Sequence, residues 1–132
     1  MVKETLKQII YYKTADGKCP FYEWFESLDN KTKAIIDSRI ERLINGLYGD
    51  HKKLSNSLLS ELRFFIGKGY RIYYKDLTDI VIIIIAGSDK SDQKRVIKQA
   101  EKYFKDFIER NSKWQILQKN LIWIWTKLSL IQ

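Results

Sequence analysis

The stretch that most restricts the fold is the apolar run at residues 80–86, IVIIIIA. Branched aliphatic side chains favour strands, and a strand that is apolar at every position is normally covered on both of its faces. The run is also well short of the roughly 20 apolar residues that a membrane-spanning helix needs. It therefore predicts a buried central strand that acts as the spine of a sheet.

Two further strands are predicted just before this run. Apolar and polar residues alternate over residues 58–66, and the alternation continues through the turn GKG into YRIYYK and then through DLTD into the apolar run. The three segments predict an antiparallel meander, with one face in the core and the other polar. The core face is expected to hold Leu62, Phe64, Ile66, Tyr70, Ile72 and Tyr74, and the polar face Glu61, Arg63, Phe65, Arg71, Tyr73 and Lys75.

Helical periodicity lies on both sides of the meander. After a first strand at residues 6–12, Pro20 is placed to start a helix, and Asp29 or Asn30 to cap a second one. Apolar residues at helical spacing mark the inner faces of these two helices and of a helix after the meander. They are Phe21, Trp24, Phe25 and Leu28, then Ile36, Ile40, Leu43 and Leu47, and finally Val96, Ile97, Ala100, Tyr103, Phe104, Phe107 and Ile108. The fold class predicted is α+β, with residues 1–110 as one domain.

Residues 111–132 are predicted to form a hydrophobic helical extension. Apolar residues at Trp114, Leu117, Leu121, Trp125 and Leu128 fall at helical spacing, and the segment carries little charge. Since an apolar patch of this kind is unfavourable to expose, the preferred interpretation is packing against the domain or pairing with a second copy in a homodimer. The alternative is a disordered or membrane-surface tail.

The composition of the chain restricts its possible partners, cofactors and location. Lys and Arg outnumber Asp and Glu by 24 to 16, a net charge of +8, which favours a polyanion or an acidic protein as partner. One cysteine, Cys19, and one histidine, His51, exclude an intramolecular disulfide and a histidine-rich metal site. No phosphate-binding loop or dinucleotide motif is present, so no cofactor or metal is expected. The absence of a signal-peptide pattern or membrane span predicts a cytoplasmic location.

The polar face of the meander is the strongest candidate for chemistry. The residues predicted to lie together there are Glu61, Arg63, Arg71, Tyr73 and Lys75, and guanidinium groups bind phosphate in a bidentate fork. The alternative is a solvated outer face on which Glu61 and Lys75 pair across the hairpin. Spacing alone slightly favours the solvated face.

Three motifs in order resemble a known family. They are SELRFFIGKGYRIYY, the apolar strand, and GSDKSDQKRVIKQA. They are similar to the RelE/ParE superfamily of type II toxins, in particular the phage-derived, HigB-like addiction module killer proteins, in which ELR, GYR and GDKSTQ recur. The likeness covers about residues 5–109, and the chain departs from the pattern at Phe65, where histidine is common. It implies a RelE-like fold with an antiparallel sheet. It also implies a toxin that cuts messenger RNA, often at the ribosome, and is neutralised by a cognate antitoxin of the helix-turn-helix type.

The resemblance also implies roles for individual residues. Arg71 would contact phosphate with Arg63 beside it, Lys90 would supply a further cation, and Glu61 and Tyr73 are weaker catalytic candidates. The surrounding RNA-binding residues would be Lys52, Lys53, Lys75, Lys94, Arg95 and Lys98. Two alternatives stay open, namely a ParE-like poison of DNA gyrase and a degenerate toxin that only binds its antitoxin.

Overall fold

The computed structural model describes residues 6–131, with side chains as far as Ser112. This part of the chain is an α+β domain, as predicted. Its elements, in chain order, are β1 (Gln8–Tyr11), α1 (Pro20–Glu26), α2 (Asn30–Ile44), β2 (His51–Lys53), β3 (Ser60–Arg63), β4 (Arg71–Asp76), β5 (Val81–Ser88) and α3 (Gln93–Ile131). No helix within residues 6–131 is long and apolar enough to cross a membrane.

The sheet is mixed, with the strand order β1-β5-β4-β3-β2. The predicted meander is confirmed for β3, β4 and β5, which pair antiparallel. The prediction of an entirely antiparallel sheet is wrong, because β1 runs parallel to β5, with Ile9 opposite Ile82. Parallel neighbours need a long crossover, and here α1, α2 and the rest of the sheet lie between the two strands in sequence. The short edge strand β2, which was not predicted, pairs antiparallel with β3.

The predicted role of the apolar run is confirmed. Strand β5 has neighbours on both edges, and its residues Ile82, Ile83, Ile84 and Ile85 are fully buried. One core cluster joins Ile82 and Ile84 of β5 to the buried residues of α1 and α2. A second cluster joins Ile83 and Ile85 to Val96, Ala100 and Phe104 of α3. The sheet is therefore covered by helices on both faces, which explains why residues 82–86 are apolar. Ile80 precedes β5 and is 44% exposed, so burial does not account for that position.

Local signals set the helix ends. Pro20 occupies the first turn of α1, and the Asp29 side chain caps α2 by accepting a hydrogen bond from the Thr32 N–H at 3.1 Å. Gly46 adopts a φ of 82° just after α2, a conformation that favours glycine at a helix end. Since α2 has ended by then, Leu47 is exposed, and its predicted place on the buried face is wrong.

Helix α3 also overturns the prediction of a single core face. Glu61 is only 3% exposed and Tyr73 is fully buried, although both lie on the face predicted to be polar. Glu61 is opposite Tyr73 in the register, whereas Lys75 is opposite Ile83, so the Glu61–Lys75 pair does not match the pairing. The middle of this face is not solvated because α3 covers it.

Helix α3 continues to Ile131, past the boundary placed at residue 110. The predictions about packing or homodimer formation by Trp114, Leu117, Leu121, Trp125 and Leu128 fall outside the residues whose side chains are described.

Candidate functional site

The predicted site residues meet where β3 ends, β4 begins and α3 starts. In the register, Arg63 is opposite Arg71, and Arg71 is opposite Ser88 of β5. In the next row, Glu61 is opposite Tyr73. Opposed residues of an antiparallel pair place their side chains on the same face, about 5 Å apart. The pleat therefore brings Glu61, Arg63, Arg71 and Tyr73 together on the α3 side of the sheet.

Arg63 and Arg71 place two positive charges side by side. Like charges on opposed residues destabilise a sheet, and here Asp50, just before β2, supplies a counter-charge to one of them. Nη2 of Arg63 donates to Oδ1 of Asp50 at 2.9 Å, and each of these side chains is 32% exposed. Nε of Arg63 and Nε of Arg71 are buried and have no hydrogen-bond partner among the described residues. Asp50 therefore pairs with Arg63 alone, and the Arg71 guanidinium has no ion pair among the described residues.

Arg39 of α2 fixes the chain that carries Asp50. This buried arginine donates to the main-chain oxygens of Tyr48 at 3.0 Å, Asp50 at 2.6 Å and Arg63 at 2.9 Å. Its guanidinium also lies 4.9 Å from the ring centre of Phe64. One side chain therefore holds both backbone segments that present the Asp50–Arg63 ion pair.

Glu61 and Tyr73 lie beneath this surface. The Tyr73 hydroxyl hydrogen-bonds Oγ of Ser88 at 2.8 Å, and Nε2 of Gln93 donates to Oε2 of Glu61 at 3.3 Å. Burial, with the negative charge of Glu61 adding to it, raises the pKa of Tyr73 to about 12. Both side chains are shielded by α3, so the predicted catalytic roles do not fit their position. They support the surface on which the arginines lie.

Tyr73→Phe is therefore expected to leave activity unchanged and to lower the free energy of unfolding by about 1 kcal/mol, since the Ser88 hydroxyl loses its partner. The double variant Tyr73→Phe/Ser88→Ala, which removes both hydroxyls, is expected to recover most of that stability. Denaturant unfolding of the single and double variants tests the pair. A large loss of activity in a stably folded Tyr73→Phe protein would contradict this prediction and would show that the Tyr73 hydroxyl takes part in the reaction.

A pocket of about 370 Å³ opens beside Arg71 at the tip of the β3–β4 hairpin. The residues lining it are Phe64, Phe65, Ile66, Gly67, Lys68, Gly69, Arg71 and Lys90. The Lys90 N–H donates to the Lys68 carbonyl at 3.2 Å, which ties the β5–α3 loop to the hairpin turn. Three cations and no acidic residue line this pocket, so it suits an anionic ligand.

The remaining predicted RNA-binding residues are spread over the surface. Lys52 is opposite Glu61 and extends the row toward the edge of the sheet, whereas Lys53 is opposite Ser60 and therefore faces the other side. Lys75 lies four residues along β4 from Arg71, roughly 13 Å away at the rise of a strand. Lys94, Arg95 and Lys98 are exposed on α3, and Arg95 pairs with Asp92 at 3.1 Å.

Sequence reasoning missed Asp50, Arg39 and Ser88. Ser88 had only a partial signal in the sequence. It comes shortly after the apolar run, but its place opposite Arg71 depends on the strand register. The strand register shifts between Tyr73 and Tyr74, so plain alternation from the apolar run does not give that pairing. Asp50 and Arg39 are brought to the site by contacts that are distant in sequence, and they have no local pattern.

The fold and this surface define a small basic α+β protein with a cation-lined pocket at one end of its sheet. No family model matches the chain. An uncharacterized protein of Haemophilus influenzae is 42% identical over 82 residues, which cover 61% of this chain and 82% of the relative. The chain belongs to the same family as this Haemophilus protein.

Proposed function

We propose that this protein is the toxin of a type II toxin–antitoxin module, with a RelE-like fold of the HigB-like branch, and that it cleaves RNA without a metal. The observation that carries the proposal is the opposed pair Arg63 and Arg71, because Arg71 lines a pocket together with Lys68 and Lys90 and no acidic residue. Arginine forks recognise phosphate oxygens, and the pair lies beside a pocket that also contains Lys90. The sequence motifs SELRFF and GYR carry these same arginines.

The reaction that fits this surface is attack of a ribose 2′-OH on the adjacent phosphate. A new bond forms between O2′ and phosphorus, and the bond from phosphorus to O5′ breaks, which gives a 2′,3′-cyclic phosphate and a free 5′-OH. The 2′-OH loses its proton to solvent water, and the 5′ oxygen gains one. Arg71 and Lys90 stabilise the negative charge that builds up on the phosphate oxygens. Because Glu61 is buried, the rate enhancement in this scheme is mainly electrostatic.

A ParE-like gyrase poison is the second candidate, and one observation favours it. Glu61 and Tyr73, the titratable groups nearest the arginines in the register, are buried, so the accessible surface is suited to binding more than to proton transfer. On this alternative, Arg63, Arg71 and Lys90 would contact the target protein and no nuclease site would be needed.

The purified protein is therefore expected to cut messenger RNA in assays run with and without added ribosomes. The reaction without ribosomes should continue in the presence of EDTA, whereas the reaction with ribosomes is kept in Mg²⁺, which ribosomes need to stay assembled. The products should carry 2′,3′-cyclic phosphate ends, which chemical end-labelling detects. Parallel reactions should contain gyrase, supercoiled DNA and Mg²⁺. A Lys31→Ala variant serves as a control because Lys31 is exposed on α2, on the other face of the sheet from Arg71. Gyrase inhibition without RNA cleavage would contradict the proposal and support the second candidate, while inactivity in both assays would support a protein that only binds its antitoxin.

A further inference from the structure

We propose that Phe65 is a stacking platform for a nucleobase of single-stranded RNA, next to the cations that bind the phosphate. The proposal rests on the RNA-directed function above and adds a subsite to it. The Phe65 side chain is 81% exposed. This is the highest value among the exposed large apolar side chains of residues 6–112. A ring of this size on the surface is unfavourable in water, and single-stranded nucleic acids use such rings because every base has an apolar face.

The backbone around Phe65 is held on both sides. The Phe64 N–H donates to the Tyr70 carbonyl at 3.0 Å, and the Gly69 N–H donates to the Ile66 carbonyl at 2.9 Å, which closes the turn. The ring of Phe64 itself is buried against the Arg39 guanidinium. Phe65 directly follows this anchored residue and lines the pocket beside Arg71. The platform therefore has a defined place next to the cations.

The charges around the ring identify the ligand. Phe65 lines the same pocket as Lys68, Arg71 and Lys90, and no acidic residue lines it. Cations that hold a sugar-phosphate backbone, combined with an aromatic ring that takes a base, are the pattern of single-strand binding. Bases inside a duplex are stacked on each other and cannot reach the ring without being unstacked. The site should accordingly prefer single strands and tolerate different bases.

A binding experiment with a 2′-O-methyl RNA oligomer tests the subsite, because this RNA lacks the hydroxyl needed for cleavage. A 2-aminopurine in the oligomer reports stacking through loss of its fluorescence, and a second label reports affinity. The variants are Phe65→Leu, which keeps an apolar side chain without the ring, and Phe65→Trp, which keeps a ring. Tyr22→Leu is the matched control, since Tyr22 is also exposed and contacts Tyr11 of β1 at the other edge of the sheet.

Phe65→Leu is expected to weaken binding by about tenfold and to abolish the fluorescence quenching, within the range measured for base stacking on aromatic rings. Phe65→Trp and Tyr22→Leu should both bind like the native protein, and duplex RNA should bind more weakly. If native protein binds the oligomer but Phe65→Leu binds and quenches equally well, the stacking subsite is wrong and the RNA-directed function stands. If native protein does not bind single-stranded RNA at all, the proposed function fails and the subsite fails with it.

Discussion

Arg71→Ala is expected to lower RNA cleavage by about a hundredfold, the typical loss when a preorganised group that stabilises developing charge is removed. Arg71 starts β4, is partly buried, and lies between Arg63 and Ser88 in the register. No ion pair of Arg71 is found among the described residues, so none is lost on substitution. Removing it also relieves its repulsion with Arg63. The fold should therefore change in stability by less than about 0.5 kcal/mol, as is usual for such sites.

Growth arrest on induction, RNA cleavage and melting temperature should be measured together for this variant. Arg71→Lys is expected to recover only part of the activity, because an ammonium lacks the planar fork that binds two phosphate oxygens. Lys31→Ala, at an exposed position of α2 on the other face of the sheet, controls for the loss of a positive charge. A folded Arg71→Ala protein that remains fully toxic would remove Arg71 from the site and leave the proposed mechanism without its central residue.

Local patterns were sufficient to group the site residues on one face. Alternation in SELR and GYRIYYK depends only on the geometry of a strand, and the register confirms that Glu61, Arg63, Arg71 and Tyr73 share one side. Burial could not be derived in the same way. A polar residue such as Glu61 predicts a solvent-exposed face of the sheet. Val96 and Ala100 of α3, from a distant part of the chain, nevertheless pack over that face.

The direction of β1 relative to β5 could not be derived from the sequence pattern either. The residues of β1 alternate in a way that suits either a parallel or an antiparallel neighbour, and the choice depends on how α1 and α2 cross the sheet. A close approach at Gly87 helps to place that crossover, since any Cβ there would lie about 2.1 Å from the ring of Trp24 on α1. The sequence shows the glycine at position 87, but it does not show that the Trp24 ring lies against it.

Arg39→Met is expected to lower the free energy of unfolding by about 3 kcal/mol or more, because hydrogen bonds to charged groups contribute about 1.5 to 3 kcal/mol each. Replacing a buried charge with an apolar side chain is often neutral when its partner is replaced as well. Here the partners are main-chain carbonyls of Tyr48, Asp50 and Arg63, which no substitution can remove. The Tyr48 and Arg63 carbonyls would lose this donor, whereas the Asp50 carbonyl would keep the Arg63 N–H at 3.0 Å. The loss should therefore exceed that of an ordinary surface change.

The same substitution should also weaken RNA binding in the fraction that remains folded. Without Arg39, the two segments lose the side chain that joins the Tyr48 and Arg63 carbonyls. They are then joined only by the Arg63 N–H, which donates to the Asp50 carbonyl at 3.0 Å, and by the β2–β3 pairing, so the ion pair at 2.9 Å is held less firmly. Arg42→Met is the matched control, since Arg42 lies on the same helix and is exposed. Denaturant unfolding and RNA affinity below the transition should be compared for both variants and for Arg39→Lys, which retains the charge but not the fork. If Arg39→Met unfolds within about 1 kcal/mol of the native protein, the carbonyl contacts contribute less than their hydrogen-bond strength implies, and Arg39 does not organise the site.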